Sequence, residues 1–523
     1  MENDNDIVSN FFQKNIKLKL LIQGTIVGAL SGLLIVFYRI TLDKAELLRQ
    51  NILNFNIEKV LLVLLWFIIL ISLSYIVGRL VKSDPLISGS GIPQVEGILL
   101  KKIKINWFPL IVRKFIGGVI SIGAGLSLGR EGPSIQLGAA VGQGVSRTTK
   151  NKAGEKYLIT CGAAAGLAAA FNAPLAGIMF VLEEVHKHFS PLILLPTMSA
   201  ALTADFISKQ FFGLKPVFNF TGISLLGLEN YLFIIGLGII VGIFGAIYNF
   251  SLIKTQNIYK KQKWLPMKYK IMIPFLISGV LVFIMPEVLG GGHHLIESLI
   301  QGKYTVKVLF VILVVKFVFS MISYGSGAPG GIFFPLLVLG ALTGSLYGIG
   351  LVNLFNLNPE YINNFMILAM AGLFSAIVRA PITGSILITE MTGSFSHFLS
   401  ISIISLVAYI TANLLKSAPI YESLLENLLK DNSNKENAND SKEKVLLEFS
   451  VYLDSAFDGK VIKDMKLPSN CLIVSIKRGE EEIIPKGNTI VNSGDYLYIL
   501  VNENEAASIK ERLSIMSCQS VIV

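Results

Sequence analysis

The stretch GREGPS, residues 129–134, sets Arg130 and Glu131 side by side between two apolar runs, VISIGAGLSL before it and IQLGAAVGQGV after it. Two other stretches share its design: GSGIPQVEGILL from Gly89 and GGIFFPLLVLGA from Gly330 and Gly331. In each, glycines precede a proline (Pro93, Pro133, Pro335) that opens a largely apolar run. Proline is favoured at the first helical position, where its missing N–H is no loss, so each stretch predicts a helix start. The first N–H groups of a helix lack intrahelical partners, and the aligned peptide dipoles leave partial positive charge there. Three such ends converging would bind an anion without a fixed full charge, loosely enough to release it. Within hydrocarbon they are tolerated only when buried in protein or lining a polar cavity. Ser90 adds a hydroxyl donor, while Gly91, Gly129, Gly132, Gly330 and Gly331 let backbone N–H groups approach closely, those of Ile332 and Phe333 above all. The competing reading, glycine-rich kinks that serve helix packing, accounts for one such motif better than for three.

A carboxylate at Glu131, just before the helix that Pro133 opens, would occupy the place of the anion as a tethered competitor for the same N–H groups. Protonated, it would lose that attraction and swing aside, so one group would both gate anions and carry protons. A local pair with Arg130 is the alternative. In GIMFVLEEVHKHF, Glu183 and Glu184 close an apolar run; neighbouring helix residues point about 100° apart, so one of them at most faces a pathway. Glu184 is the proton candidate, against the alternative of a helix-end carboxylate in water.

These motifs need membrane-embedded elements to hold them. Of 523 residues, 52% are hydrophobic and 15% charged, the composition of a polytopic membrane protein. Apolar stretches recur at 17–37, 58–81, 108–128, 192–212, 231–251, 271–285, 307–323, 333–352, 364–378 and 397–415, and about 20 residues span a bilayer core. No cleavable signal precedes them. The net charge of +10 sits mostly in short connectors, such as Lys101, Lys102 and Lys104, which fits cytoplasmic loops rather than nucleic-acid binding. Cys161, Cys471 and Cys518 have neither disulfide nor metal spacing. GGGHH at 290–294, with Glu297 nearby, reads as a solvated loop rather than a metal site.

Shifting the chain by 202 positions pairs Lys114 with Lys316, Phe115 with Phe317, Gly129 with Gly331, Pro133 with Pro335 and Gly138 with Gly340. A shift of 207 pairs Pro174 with Pro381 and Glu183 with Glu390, which gives that last pair a structural role. Repeats interrupted by Gly and Pro at matching positions point to a transporter whose site lies at the repeat interface. The expected fold is an all-α polytopic membrane protein with two repeats and broken helices, followed by a small α+β soluble domain. Its parts are an N-terminal cytoplasmic segment at 1–15, a transmembrane domain at 16–430, a polar linker at 431–444 and a regulatory domain at 445–523, rich in short β runs.

GSGIP, GREGP and GGIFFP, in that order and spacing, resemble the signature motifs of the CLC family of chloride channels and proton-coupled chloride antiporters. The resemblance implies inverted repeats and a homodimer with one anion pathway per subunit. Abundant Lys, Asn and Ile and a compact layout fit a bacterial plasma membrane, and the basic connectors fit cytoplasmic termini. The resemblance also implies a central chloride site from Ser90, the backbone of Ile332 and Phe333, and Tyr421 of KSAPIYESLL. Glu131 falls on the gating glutamate and Glu184 on the internal proton glutamate of the antiporter branch. Ser90 is similar to chloride-selective members, and the motifs differ from those of the fluoride-selective branch. The tail resembles the TrkA C-terminal regulatory domain, which binds small ligands, often nucleotides, or mediates assembly. The function expected is chloride/proton exchange, with a passive chloride channel as the alternative and no enzymatic reaction or metal. A serine protease built on Ser90 lacks a histidine base within membrane reach, since His186, His188, His293, His294 and His397 lie near segment ends or in loops. A potassium channel lacks the carbonyl-lined filter loop, although YGSGAPGG has a similar YG.

Overall fold

The computed structural model describes residues 4–53, 60–151, 154–187, 191–218, 220, 224–262, 264–436, 444–452, 455–465, 467–468, 471–479, 481–502, 509 and 512–513. His188 and Cys518 lie outside the described residues. Two compact units divide the chain, Met1–Lys430 and Asp431–Val523.

The first unit is helical throughout, because inside lipid a helix satisfies its own backbone. Its first half runs α1 (Asp4–Leu53), α2 (Val60–Ser83), α3 (Ile92–Leu99), α4 (Trp107–Gly123), α5 (Glu131–Thr148), α6 (Glu155–Phe171), α7 (Pro174–Phe180) and α8 (Pro191–Phe212). Its second half runs α9 (Tyr231–Lys261), α10 (Met267–Ile284), α11 (His293–Ile300), α12 (Val306–Gly325), α13 (Phe333–Phe355), α14 (Tyr361–Val378), α15 (Pro381–Thr392) and α16 (Phe398–Leu414), and α17 (Ile420–Glu436) follows. Eight helices among the described residues are long and apolar enough to cross a membrane. The stretches 108–128 and 192–212 do not contribute one, and α4 has only 17 residues before it ends at Gly123. α1 already begins at Asp4, within the expected N-terminal segment, and α17 runs on to Glu436, within the stretch expected as linker. Leu424 and Leu425 bury one side of α17, and a helix so anchored can extend into polar sequence.

Residues paired by the repeat meet in space. Gly129 and Gly331 each donate to the other's carbonyl at 2.7 Å, as an isolated antiparallel pair. The Glu183 carboxylate accepts the N–H groups of Ile382 (3.2 Å) and Thr383 (2.7 Å) at the start of α15. Glu390 accepts those of Leu175 (3.1 Å) and Ala176 (2.8 Å) at the start of α7. Each half thus caps a helix of the other. Such reciprocity between equivalent residues defines a two-fold axis, and the antiparallel crossing at Gly129 and Gly331 has the opposed chain directions that inverted repeats require. Gly138 and Gly142 of α5 lie against Gly162 and Leu158 of α6, and Gly340 and Gly344 of α13 lie against Ala369 and Phe365 of α14; neither pair has room for a side chain. Small residues of this kind let membrane helices pack backbone to backbone.

GGGHH is not a solvated loop. Gly290 and Gly292 have φ of +60° and +102°, matching +64° and +94° at Gly89 and Gly91, and each pair leads into an eight-residue helix, α11 or α3. The Lys316 amino group donates to the carbonyls of Val288 (2.9 Å) and Gly290 (2.8 Å), as Lys114 does to Ile87 (2.8 Å) and Gly89 (2.7 Å). Only glycine adopts these left-handed turns freely, so GGGHH is the repeat partner of GSGIP.

In the second unit, β1 (Lys444–Ser450), β2 (Cys471–Arg478), β3 (Glu481–Ile483) and β4 (Tyr496–Asn502) form an antiparallel sheet in the order β1-β4-β2-β3. Alternate residues Leu497, Ile499 and Val501 of β4 pack with Phe449, Phe457 and Ile476 in its core. Cys471 is half-buried in β2, and Cys161 is buried in α6.

Candidate anion and proton site

The three glycine motifs converge. Gly330 N–H donates to the Gly89 carbonyl at 3.0 Å, which ties the start of α13 to that of α3, and the Gly129–Gly331 pair ties α13 to α5. Ser90 packs onto Gly132, where a β-carbon would lie 2.8 Å from the Ser90 Cβ and carbonyl oxygen. The prolines stand later than expected: Pro93 is the second residue of α3, and Pro133 and Pro335 are the third residues of α5 and α13. The consequence is unchanged, because the first several N–H groups of a helix lack acceptors in any case. The start of α13 at Phe333 leaves the N–H groups of Ile332 and Phe333 free of intrahelical bonds. Ser90 Oγ accepts the Ile92 N–H at 3.3 Å and lies beside the buried Tyr324 hydroxyl.

Tyr421, at the start of α17, is fully buried, with no hydrogen-bond partner for its hydroxyl. Its ring stands edge-on to Phe180 at 6.3 Å, Phe180 meets Phe333 at 5.8 Å, and Phe333 meets Phe374 at 4.6 Å. This aromatic wall joins Tyr421 to the α13 start.

Glu131 has no solvent exposure, and neither carboxylate oxygen completes a hydrogen bond. One oxygen turns back over Gly129, towards the backbone N–H of Phe334. The Arg130 guanidinium pairs instead with Asp43 of α1 at 3.5 Å, so the local Arg130–Glu131 pair does not form. Arg130, Arg39 and Lys215 line a cavity of about 470 Å³ that ends at Glu131 and Phe334 and is also bordered by His293 and Asp43.

After α7 the backbone widens into a π-helical turn, Val181–Val185, closed by His186 N–H on the Val181 carbonyl at 2.7 Å. The turn separates the two adjacent acids. Glu183 reaches α15, where Thr383 Oγ adds a third bond at 2.7 Å, while Glu184 is buried at 4% exposure with one carboxylate oxygen unpartnered. Glu184 is therefore not a carboxylate in water.

Sequence reasoning missed Lys114 and Lys316 as parts of the site. Both are fully buried, and their amino groups hold the loops that begin α3 and α11. Their signal was present: a lysine inside an apolar helix, repeated in register. It also missed Glu96, Lys187 and Glu422, which the fold gathers beside Glu184.

Comparison with known proteins follows this geometry. Residues 73–413 match the family described as voltage gated chloride channel. The chain belongs to that family. Residues 446–514 match the TrkA-C domain. The H(+)/Cl(-) exchange transporter ClcA of Vibrio cholerae is 36% identical over 442 residues, covering 82% of this chain and 93% of the relative. The crystal structure of a slow cyanobacterial Cl-/H+ antiporter superposes with a TM-score of 0.76 at 30% identity, covering 79% of this chain and 99% of the other. A CLC-type fluoride/proton antiporter superposes with a TM-score of 0.65 at 24% identity, covering 78% of this chain and 97% of the other, and shows the shared fold alone.

Proposed function

We propose that this member of the voltage gated chloride channel family exchanges chloride for protons across a membrane, with Glu131 as gate and proton-transfer carboxylate and Glu184 as the internal proton acceptor. The observation that carries this reading is the buried, unbonded Glu131 carboxylate at the joint of three helix starts. Ionised, it competes with chloride for the free N–H groups; protonated, it yields the place to chloride and carries the proton. Chloride lies among Ser90, the backbone of Gly91, Ile332 and Phe333, and the Tyr421 hydroxyl. Partial charges bind it, so release stays fast. Glu184 supplies a second buried acid through which protons reach Glu131.

The lysine-rich connectors favour cytoplasmic termini in a bacterial plasma membrane. Two copies form a dimer, each with its own pathway through the lipid. The TrkA-C unit regulates flux through a small ligand, a nucleotide by the chemistry of such domains. Deleting residues 445–523 is expected to change flux or its response to added nucleotide, and unchanged flux under every ligand would remove that role.

The test of exchange is proton movement in liposomes with an outward chloride gradient and the membrane potential clamped. Wild type drives protons uphill. Glu131→Ala and Glu184→Ala each abolish proton movement and still pass chloride. Proton pumping that survives in both variants would contradict the assignment.

A further inference from the structure

Near Glu184 a cluster of charged side chains joins three elements. The Lys187 ammonium lies 2.9 Å from a Glu96 carboxylate oxygen and 2.5 Å from one of Glu422. Glu96 comes from α3, which carries Ser90 at its start, and Glu422 follows Tyr421 on α17. Side-chain exposure rises outward, from 6% at Glu96 to 35% at Lys187 and 47% at Glu422. Lys187 has a left-handed backbone, φ +53°, just after the π-helical turn. The charges around Glu184 are Lys187, Glu96, Glu422 and Glu183. From α6, Thr160 Oγ faces the same turn, 3.0 Å from the His186 ring.

We infer that the Glu96–Lys187–Glu422 clasp is the port through which Glu184 exchanges protons with internal water, and that Lys187 is the positioning residue that sets when Glu184 ionises. Lys187 stays an ammonium throughout. A hydronium in the internal water gives its proton to ionised Glu184 and leaves water, and the reverse step returns it. Glu183 has no share in this, because its carboxylate is fixed on α15 by three bonds. The ammonium opposes the repulsion that Glu96 and Glu422 exert on an ionised Glu184. It also ties the loops of the anion site, through α3 and α17, to the proton site.

This inference rests on the reading of Glu184 as proton carrier, and the experiment separates the two. Chloride-driven proton transport is measured in liposomes against internal pH for wild type, Glu184→Ala, Lys187→Met, Lys187→Arg and Glu422→Gln. Loss of the cation makes Glu184 harder to ionise, so Lys187→Met moves the midpoint of the pH dependence up by about one unit or more. Lys187→Arg restores the wild-type midpoint. Glu422→Gln removes a repelling charge at a half-exposed position that tolerates substitution, and moves the midpoint down. Chloride passes in all five proteins. If Glu184→Ala keeps its proton transport, the underlying reading fails. If Glu184→Ala loses it while Lys187→Met and Glu422→Gln keep the wild-type midpoint, or shift it in the same direction, only the inference fails. A proportional loss of chloride and proton flux in both lysine variants would also overturn it, leaving the clasp a structural tie.

Discussion

The Tyr421 hydroxyl has no partner within the protein although its ring is fully buried. A buried polar group left unbonded costs about 1–3 kcal/mol, and a bound anion offers the missing acceptor. Tyr421→Phe removes that hydroxyl without disturbing the rings of Phe180 and Phe333. The expected outcome by calorimetry is chloride binding weaker by about 2- to 10-fold, the worth of one net hydrogen bond of 0.5–1.5 kcal/mol. Melting in chloride-free buffer should be no lower than in wild type, because the variant leaves no unpaired hydroxyl buried. Unchanged chloride affinity would remove Tyr421 from the site. Gly132 belongs to the same scale. Alanine there drives its β-carbon to 2.8 Å from Ser90, so Gly132→Ala should displace Ser90 and lower chloride flux by crowding alone.

Among the helices, the reciprocal caps set the register of the two halves. Each glutamate satisfies two N–H groups at a helix start, with its negative charge at the positive end of the dipole. Glu183→Ala and Glu390→Ala should each destabilise by about 1–3 kcal/mol, since buried donors lose their partners. Thermal unfolding in detergent measures this, and a Tm unchanged in both variants would contradict the capping role. The pairing of Glu183 with Glu390 was legible from the 207 shift, and the three Gly-Pro helix starts were legible because glycine and proline mark backbone geometry directly. GGGHH was misread for a related reason. It carries a histidine pair where its repeat partner carries Ile92-Pro93, so proline gave no helix signal and the histidines drew attention to metal binding. The Lys187 clasp was not legible, because Lys187 and Glu422 stand 235 residues apart and only the folded chain brings them together. Glu183 and Glu184 part through a π-helical turn that apolar periodicity does not reveal.

At the scale of the whole molecule, a membrane unit that exchanges ions is joined in one chain to a small sheet domain that holds its own ion pair. Arg478 donates to both carboxylate oxygens of Asp495 at 2.8 Å, and Asn492 N–H adds a bond at 2.9 Å. Burial alone would raise the Asp495 carboxyl, but the Arg478 and Asn492 bonds outweigh it and hold the carboxyl below its ordinary range. A carboxyl depressed in the folded state stabilises fully above its unfolded value, about 3.9, and that contribution fades as pH falls through the folded value. Arg478→Ala should therefore destabilise this unit at neutral pH and move its acid unfolding to higher pH, as followed by limited proteolysis of the full chain. An unchanged acid limb would contradict the role of the pair.

The central claim concerns the coupling of two ions, and the reversal potential of the reconstituted protein tests it most directly. With equal chloride on both sides and a proton gradient imposed, an exchanger reverses away from zero, in the direction that the proton gradient sets. The account predicts that displacement, and its loss in Glu184→Ala. Reversal that stays at zero under every proton gradient, with chloride current flowing, would make the protein a passive channel and contradict the account.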